Sequence, residues 1–315
     1  MAFVEQRPRA NAAPEVSIAK GPNGVCVFRE DRRCSIHVHA GESALPIGCR
    51  HYPRVVRLDR RGIALSLSHY CPTAASLLVA DAAVRVVRAD PPLALSEPVE
   101  GLDARAALPP LLCPEVLMDL DAYEAWEKAA VTEFSNCNRP DVGLRRIASA
   151  TDRLREWRPG GPSIDAAVAS AFARADGAEP SWMEQGLPLA RTLNRGVVSL
   201  DNDANSQPRP ANRHQRTANR QPRTADGVER VIANYLAARA FGNWIAYQGR
   251  GLRTIVTWLR ACHDIVCLLA FRAASDQGRQ VTIPDVIEAI RQADYVMLHT
   301  IDTQDFADAA RGVEF

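Results

Sequence analysis

Apolar positions change period several times along the chain, and each change predicts an element. Short strand-like runs come first: Val25-Cys26-Val27-Phe28 and Cys34-Ser35-Ile36-His37-Val38 flank the charged residues 29–33, which predicts a β-hairpin. Gly41, Pro46, Gly48 and Pro53 interrupt regular structure, and Arg61-Gly62 is placed to turn residues 55–58 back onto 63–67. Near-helical spacing of Leu120, Tyr123 and Phe134 then predicts a helix from Pro114 onward, with Pro114 and Glu115 in its first turn. Leu144, Ile147, Ala148, Leu154 and Trp157 predict a second helix after Asp141, and Ile164, Val168 and Phe172 a shorter third.

Apolar residues almost vanish over 201–227, and 207–223 is a basic, aromatic-free stretch of Arg, Asn, Gln and Pro. Such a composition reads as a flexible linker. An arginine-rich arm for RNA or a partner is the alternative, but it lacks stacking aromatics. Helical periodicity returns with Val231, Ile232, Tyr235 and Leu236, then Leu252, Ile255, Val256, Leu259, Val266 and Leu269, then Val286, Ile287, Ile290, Met297 and Leu298. Thr282-Ile-Pro-Asp285 marks the start of the last helix, a capping box with Asp in place of Glu. The expected organisation is therefore a disordered leader over 1–20, a cysteine-rich module over 21–85, a helical segment over 86–200, a linker over 201–228 and a helical segment over 229–315. The fold class expected is mainly α, with a small Cys-rich α+β metal-binding module packed on a helical domain.

A chain of 315 residues, 47% hydrophobic and 24% charged, can bury a sizeable core. Its formal charge is +1, so no global field draws it to nucleic acid or to an anionic membrane, and neither partner is expected. Only two of its 38 basic residues are lysines, Lys20 and Lys128, a bias that reflects GC-rich coding. The most apolar stretch, 252–271, carries Arg253, Arg260, His263 and Asp264, which reads as a core helix and not a membrane span. The N-terminus has no apolar run of signal-peptide length, so a cytoplasmic protein is expected, with its eight cysteines reduced.

Four of the eight cysteines, Cys26, Cys34, Cys49 and Cys71, and four of the seven histidines, His37, His39, His51 and His69, fall between residues 26 and 71. The cysteines are separated by 7, 14 and 21 intervening residues, without the C-x-x-C spacing of zinc ribbons. Four thiolates are nevertheless the number that closes a tetrahedral zinc site or a cuboidal iron–sulfur cluster, and four unrelated buried cysteines are the alternative. His37 and His39 alternate with Ile36 and Val38, which in a strand places both on one face. His51 and His69 sit two residues from Cys49 and Cys71, within reach of a thiolate, and Arg50 could offset thiolate charge or dock an anion. Cys113, Cys137, Cys262 and Cys267 read as packing residues, although His263 and Cys267 share a helix face at i, i+4. Glu124, Glu127, Glu229 and Asp264 are the helix carboxylates that could deprotonate a substrate lysine, and none stands out.

The words around the first four cysteines add a resemblance. Gly24-Val-Cys26-Val-Phe28, Cys34-Ser-Ile-His37, Pro46-Ile-Gly-Cys49-Arg-His-Tyr-Pro53 and Ser68-His-Tyr-Cys71-Pro-Thr-Ala74 resemble, in order, the downstream half of the zinc- or iron-chelating cysteine-cluster domain of flagellin lysine-N-methylases. Residues 229–241, with Glu229, Asn234-Tyr-Leu236 and Phe241, resemble that family's later Glu-x-x-x-x-Asn-Tyr-Leu-x-x-x-x-Phe stretch, and His299 lies in a matching last helix. The family's domain opens with a C-x-x-C-x-x-C-C-like group, whereas no cysteine precedes Cys26 here; a coding start downstream of the true one is the expectation. The resemblance implies a [4Fe–4S] cluster or zinc held by Cys26, Cys34, Cys49 and Cys71. It also implies methyl transfer from S-adenosylmethionine to lysines of a flagellin-like protein substrate. No Gly-rich strand-to-helix turn offers a nucleotide-type site for that cofactor, and ligating it through a cluster iron would need an iron free of cysteine. A non-catalytic metal-binding or interaction protein is the alternative, as is a truncated, inactive relative.

Overall fold

The structure is a computed structural model and describes residues 4–9, 12–19, 21, 25–31, 33–80, 82–91, 101–185, 225–248 and 250–315. The low-complexity stretch 207–223 lies outside the described residues. Helix accounts for 57% and strand for 10%, so the fold is mainly helical with small sheets. Compact units divide at Tyr52 and Pro53, inside the stretch 21–85 that the sequence groups as one module.

In the first unit, residues 1–20 are not the irregular leader expected. They contain an antiparallel hairpin of β1 (Val4–Arg9) and β2 (Ala12–Ile18), with Val4 opposite Ile18 and Gln6 opposite Val16. Strand pairing draws on backbone groups that every composition carries except at proline, and the register slips between Arg7 and Arg9, where Pro8 has no N–H to give. The next predicted hairpin forms, but it is only two residues deep: β3 (Arg29–Glu30) pairs antiparallel with β4 (Arg33–Cys34). It ends there because Ser35 donates both its backbone N–H (2.8 Å) and its hydroxyl (3.0 Å) to the Phe28 carbonyl. The chain then turns into the short helix α1 (Ser35–Ala40). His37 and His39 thus stand on a helix, about 200° apart around its axis, and not together on one strand face. A second short helix, α2 (Ile47–His51), carries Cys49.

The second unit opens with the predicted hairpin of β5 (Arg54–Asp59) and β6 (Gly62–Leu67), in register from Arg54 opposite Leu67 to Asp59 opposite Gly62. The Asp59 carboxylate accepts the Arg61 N–H at 2.9 Å and closes the turn. β7 (Leu102–Asp103) adds to β5 in parallel. Gly101 is required just before it, since a Cβ there would lie 2.4 Å from the Val56 carbonyl oxygen. Helix α3 (Pro72–Leu77) follows β6. Pro114 and Glu115 do not begin a helix; they form the turn between β8 (Leu111–Cys113) and β9 (Val116–Leu117), with Glu115 at φ 73°. The helix starts six residues later, as α4 (Leu120–Asn136), because Asp119 accepts the Ala122 N–H at 2.7 Å.

α5 (Pro140–Arg155) and α6 (Ile164–Ala173) follow, then α7 (Ala225–Ala240), α8 (Leu252–Ser275), α9 (Ile283–His299) and α10 (Thr303–Ala309). Trp126, Phe134, Leu144, Ile147, Tyr235, Leu236, Leu259, Val266, Val286 and Ile290 form one core around α8. That helix has the length and composition of a membrane span, yet 67% of its apolar window is buried inside the chain's own fold. The capping box forms at α9: the Asp285 carboxylate accepts the Thr282 N–H at 2.8 Å and the Thr282 hydroxyl at 2.6 Å. Bonds from the Arg279 guanidinium and from Thr282 hold the Asp285 carboxyl below the usual carboxylate range. Asp285→Ala is expected to lower unfolding stability by about 1 kcal/mol. Because the folded pKa is depressed, this contribution is present above about pH 4 and lost as pH falls further. Urea denaturation at neutral pH and near pH 3 checks both statements.

Candidate functional site

A set of deeply buried polar groups of the second unit gathers under residues 68–71. β6 ends at Leu67, whose carbonyl accepts from Arg239 of α7. Ser68, 1% exposed, gives its N–H to the Pro53 carbonyl at 2.7 Å and pairs its hydroxyl with His299 Nε2 of α9 at 2.9 Å. The His69 backbone N–H donates to the Asp294 carboxylate, and its ring meets Tyr235 edge-on with centroids 5.6 Å apart. Tyr70 lies against Tyr295, and its carbonyl accepts from Arg291 Nε at 3.2 Å. Cys71 is the residue before α3, and its carbonyl takes the Ala75 N–H at 2.9 Å. Beyond α3, Asn234 Nδ2 donates to the carbonyls of Leu78 (3.0 Å) and Ala80 (3.4 Å).

Asp294 is the hub. It is fully buried, accepts the Tyr235 hydroxyl at 3.0 Å as well as the His69 N–H, and lies 3.7 Å from Arg239 Nη1. Burial alone would raise its pKa, but the Arg239 charge and the His69 bonds hold the carboxyl below its ordinary value. Burial lowers the His69 pKa, against the pull of Asp294, and raises the Tyr235 hydroxyl well above the usual phenol value. The arrangement fixes a segment of chain. All of Asp294's strong partners are protein groups, so it is a positioning residue with no free role as a base.

The cluster joins residues that the sequence singles out in two distant stretches. Ser68 and His69 come from one, and Tyr235 and His299 from the other. Sequence reasoning missed Asp294 and Arg239. A signal existed for both: Asp294 occupies an apolar-stripe position four after Ile290, and Arg239 follows Ile232, Tyr235 and Leu236 at helical spacing. A charge on such a stripe implies a buried partner.

None of the four candidate ligand cysteines is in a disulfide; Cys26 and Cys49 are exposed, and Cys34 and Cys71 partly so. Cys26, Cys34 and Cys49 belong to the first unit and Cys71 to the second. In kind, reduced and solvent-reachable thiols suit zinc or an iron–sulfur cluster. Among the described residues, however, no three His, Cys, Asp or Glu side chains gather as a metal-holding group. His37 and His39 are exposed, His51 is buried, and the His69 ring is turned to Asp294 and Tyr235. Cys137 packs under Gly143 and bonds the Phe134 carbonyl at 3.3 Å, and burial pushes its thiol up to about 11; Cys262 is fully buried and pushed up to about 12.

The candidate bases separate. Glu127, 1% exposed, is held by Arg57 at 2.8 Å, the Gly242 N–H at 2.9 Å and the Tyr123 hydroxyl at 3.4 Å. Glu124 pairs with Lys128 and Arg61, and Asp264 with Arg260 and His263. The Glu229 carboxyl is raised by burial and by the nearby Asp141 charge. In comparisons with models of protein families, with characterised proteins and with solved structures, no match to this chain was found.

Proposed function

We propose that the chain is a cytoplasmic metal- or iron–sulfur-binding protein of the kind the flagellin lysine-N-methylases resemble. In this reading Cys26, Cys34, Cys49 and Cys71 supply the thiolates of a [4Fe–4S] or zinc centre. The observation that carries it is the anchoring of residues 68–71. The start of the Ser-x-x-Cys-Pro-Thr word is held by His299 at Ser68 and by Tyr235 and Asp294 at His69, and Tyr235 and His299 belong to the second stretch on which the same resemblance rests. Two short words placed independently in the sequence thereby become one structural unit. In this reading metal binding and local folding are coupled, as in other small thiolate sites.

The catalytic form of the proposal is protein-lysine N-methyl transfer from S-adenosylmethionine to a flagellin-like substrate. In this form only three of Cys26, Cys34, Cys49 and Cys71 would hold the cluster, and the iron left free of cysteine would supply a ligation point for the methionine moiety. Glu229, with its raised carboxyl, is then the residue suited to take a proton from a substrate lysine. The engagement of Glu127, Asp264 and Asp294 by protein partners favours the second reading, a non-catalytic metal-binding or interaction protein.

Metal analysis and an ultraviolet–visible spectrum on protein purified without oxygen, beside a Cys49→Ser/Cys71→Ser double variant, test the proposal. Iron with sulfide and broad absorbance near ~400 nm, or stoichiometric zinc without colour, is expected in the wild type and lost in the variant. Binding of S-adenosylmethionine by the reduced, loaded protein selects the catalytic form, and its absence selects the second reading. Equal metal content in both proteins, or none in either, overturns the ligand assignment.

A further inference from the structure

Helix α8 carries a second cluster of chemistry-bearing groups that the proposed function does not use. His263 Nδ1 lies 2.8 Å from Asp264 Oδ1, and His263 Nε2 lies 3.5 Å from Cys267 Sγ. One imidazole thus bridges a carboxylate and a thiol. The carboxylate orients the ring and favours its charged form, and the ring's other nitrogen faces the sulfur, the order of parts that activates a thiol nucleophile. Arg260, which binds Asp264 through Nε at 2.9 Å and Glu179 through Nη1 at 2.8 Å, and Glu229 of α7 are the other charged groups that face the cluster. Burial disfavours the imidazolium, but the bonds to Asp264 and Cys267 outweigh it and raise the His263 pKa to about 10. Cys267 is partly exposed, unlike fully buried Cys262 five residues before it.

We propose that Cys267, His263 and Asp264 form a reactive-thiol site that takes hydroperoxides. Acyl-transfer chemistry does not suit the place: Cys267 is in the middle of a 24-residue helix, so its neighbouring N–H groups are used in the helix and none is left to hold an oxyanion. Peroxide reduction needs only a thiolate and a proton donor. The Cys267 sulfur attacks one peroxide oxygen, the S–O bond forms as the O–O bond breaks, and the departing hydroxide takes the Nε2 proton of the His263 imidazolium to leave as water. Sulfur loses two electrons to the peroxide and ends as a sulfenic acid.

The test is alkylation of the intact chain by iodoacetamide across pH, read at each cysteine by mass spectrometry. A parallel exposure to hydrogen peroxide with dimedone trapping reads the sulfenic acid. At about pH 6, where an ordinary thiol is almost wholly protonated, Cys267 is expected to react at least about tenfold faster in the wild type than in His263→Gln. Asp264→Asn is expected to fall between them, and the dimedone adduct is expected at Cys267 of the wild type. The proposal is overturned if wild-type Cys267 follows an ordinary thiol titration near ~8.5, or forms no dimedone adduct. The wild-type profile decides alone should either variant fail to fold.

Discussion

Asp294→Ala is expected to destabilise the folded chain by about 3–5 kcal/mol, a third or more of the total stability of an ordinary domain. The side chain is fully buried in α9, and truncation leaves the Tyr235 hydroxyl and the His69 N–H without their acceptor and the Arg239 guanidinium, still bonded to the Leu67 carbonyl, without its counter-charge. An uncompensated buried charge dominates that cost, because Arg239 is only 4% exposed and cannot reach water without moving α7. Asp294→Asn separates charge from hydrogen bonding. The amide oxygen still accepts from Tyr235 or His69 but carries no charge opposite Arg239, so a smaller loss is expected. Urea unfolding of the three proteins checks the order. A loss below about 1 kcal/mol for Asp294→Ala would show that the cluster does not hold residues 68–71 in place.

Glu127→Ala is expected to have an effect of the same size, about 3–5 kcal/mol, at a separate place in the second unit. Glu127 of α4 and Arg57 of β5 are 1% and 2% exposed, with Arg57 Nη1 2.8 Å from Glu127 Oε1. Around them Asp59 pairs with Arg57 Nε at 3.3 Å and Arg61 at 2.6 Å and accepts the Tyr247 hydroxyl at 2.8 Å, so two carboxylates face two guanidinium groups. Removing the Glu127 carboxylate leaves Arg57, between the rings of Tyr123 and Tyr247, with only the Asp59 carboxylate at 3.3 Å, which Arg61 shares, and leaves the Gly242 N–H unbonded. The double variant Arg57→Met/Glu127→Leu removes both charges and keeps the volume. It is expected to recover most of the loss, since a buried pair replaced by apolar side chains costs little. Equal destabilisation in the single and double variants would mean that the pair acts through packing and not through charge.

Helices and the longer hairpin were legible from the residues because their signals are local. The β5–β6 hairpin follows from two short apolar runs on either side of Arg61-Gly62, and the start of α9 from Thr282 and Asp285. Where reading failed, a tertiary or competing local bond decided. Ser35 captures the Phe28 carbonyl and converts an expected strand into α1, which separates His37 from His39. Asp119 outcompetes Pro114 as the start of α4 because Glu115 adopts φ 73° and completes a β-turn instead. In the candidate site the sequence pointed to Ser68, Cys71, Asn234, Tyr235 and His299 but not to Asp294. A single buried carboxylate in an apolar stripe reveals its role only when the partners from α7 and from residues 68–69 are in place. Likewise Glu127 looked like any helix carboxylate until Arg57, 70 residues away, was seen against it.

Thiolate ligation is the central claim, and X-ray absorption at the metal edge of anaerobically purified protein tests it most directly. The account predicts a first shell of sulfur, at about 2.3 Å if the metal is zinc, that is depleted in the Cys49→Ser/Cys71→Ser variant. A first shell of nitrogen and oxygen alone, unchanged by that double substitution, would contradict it.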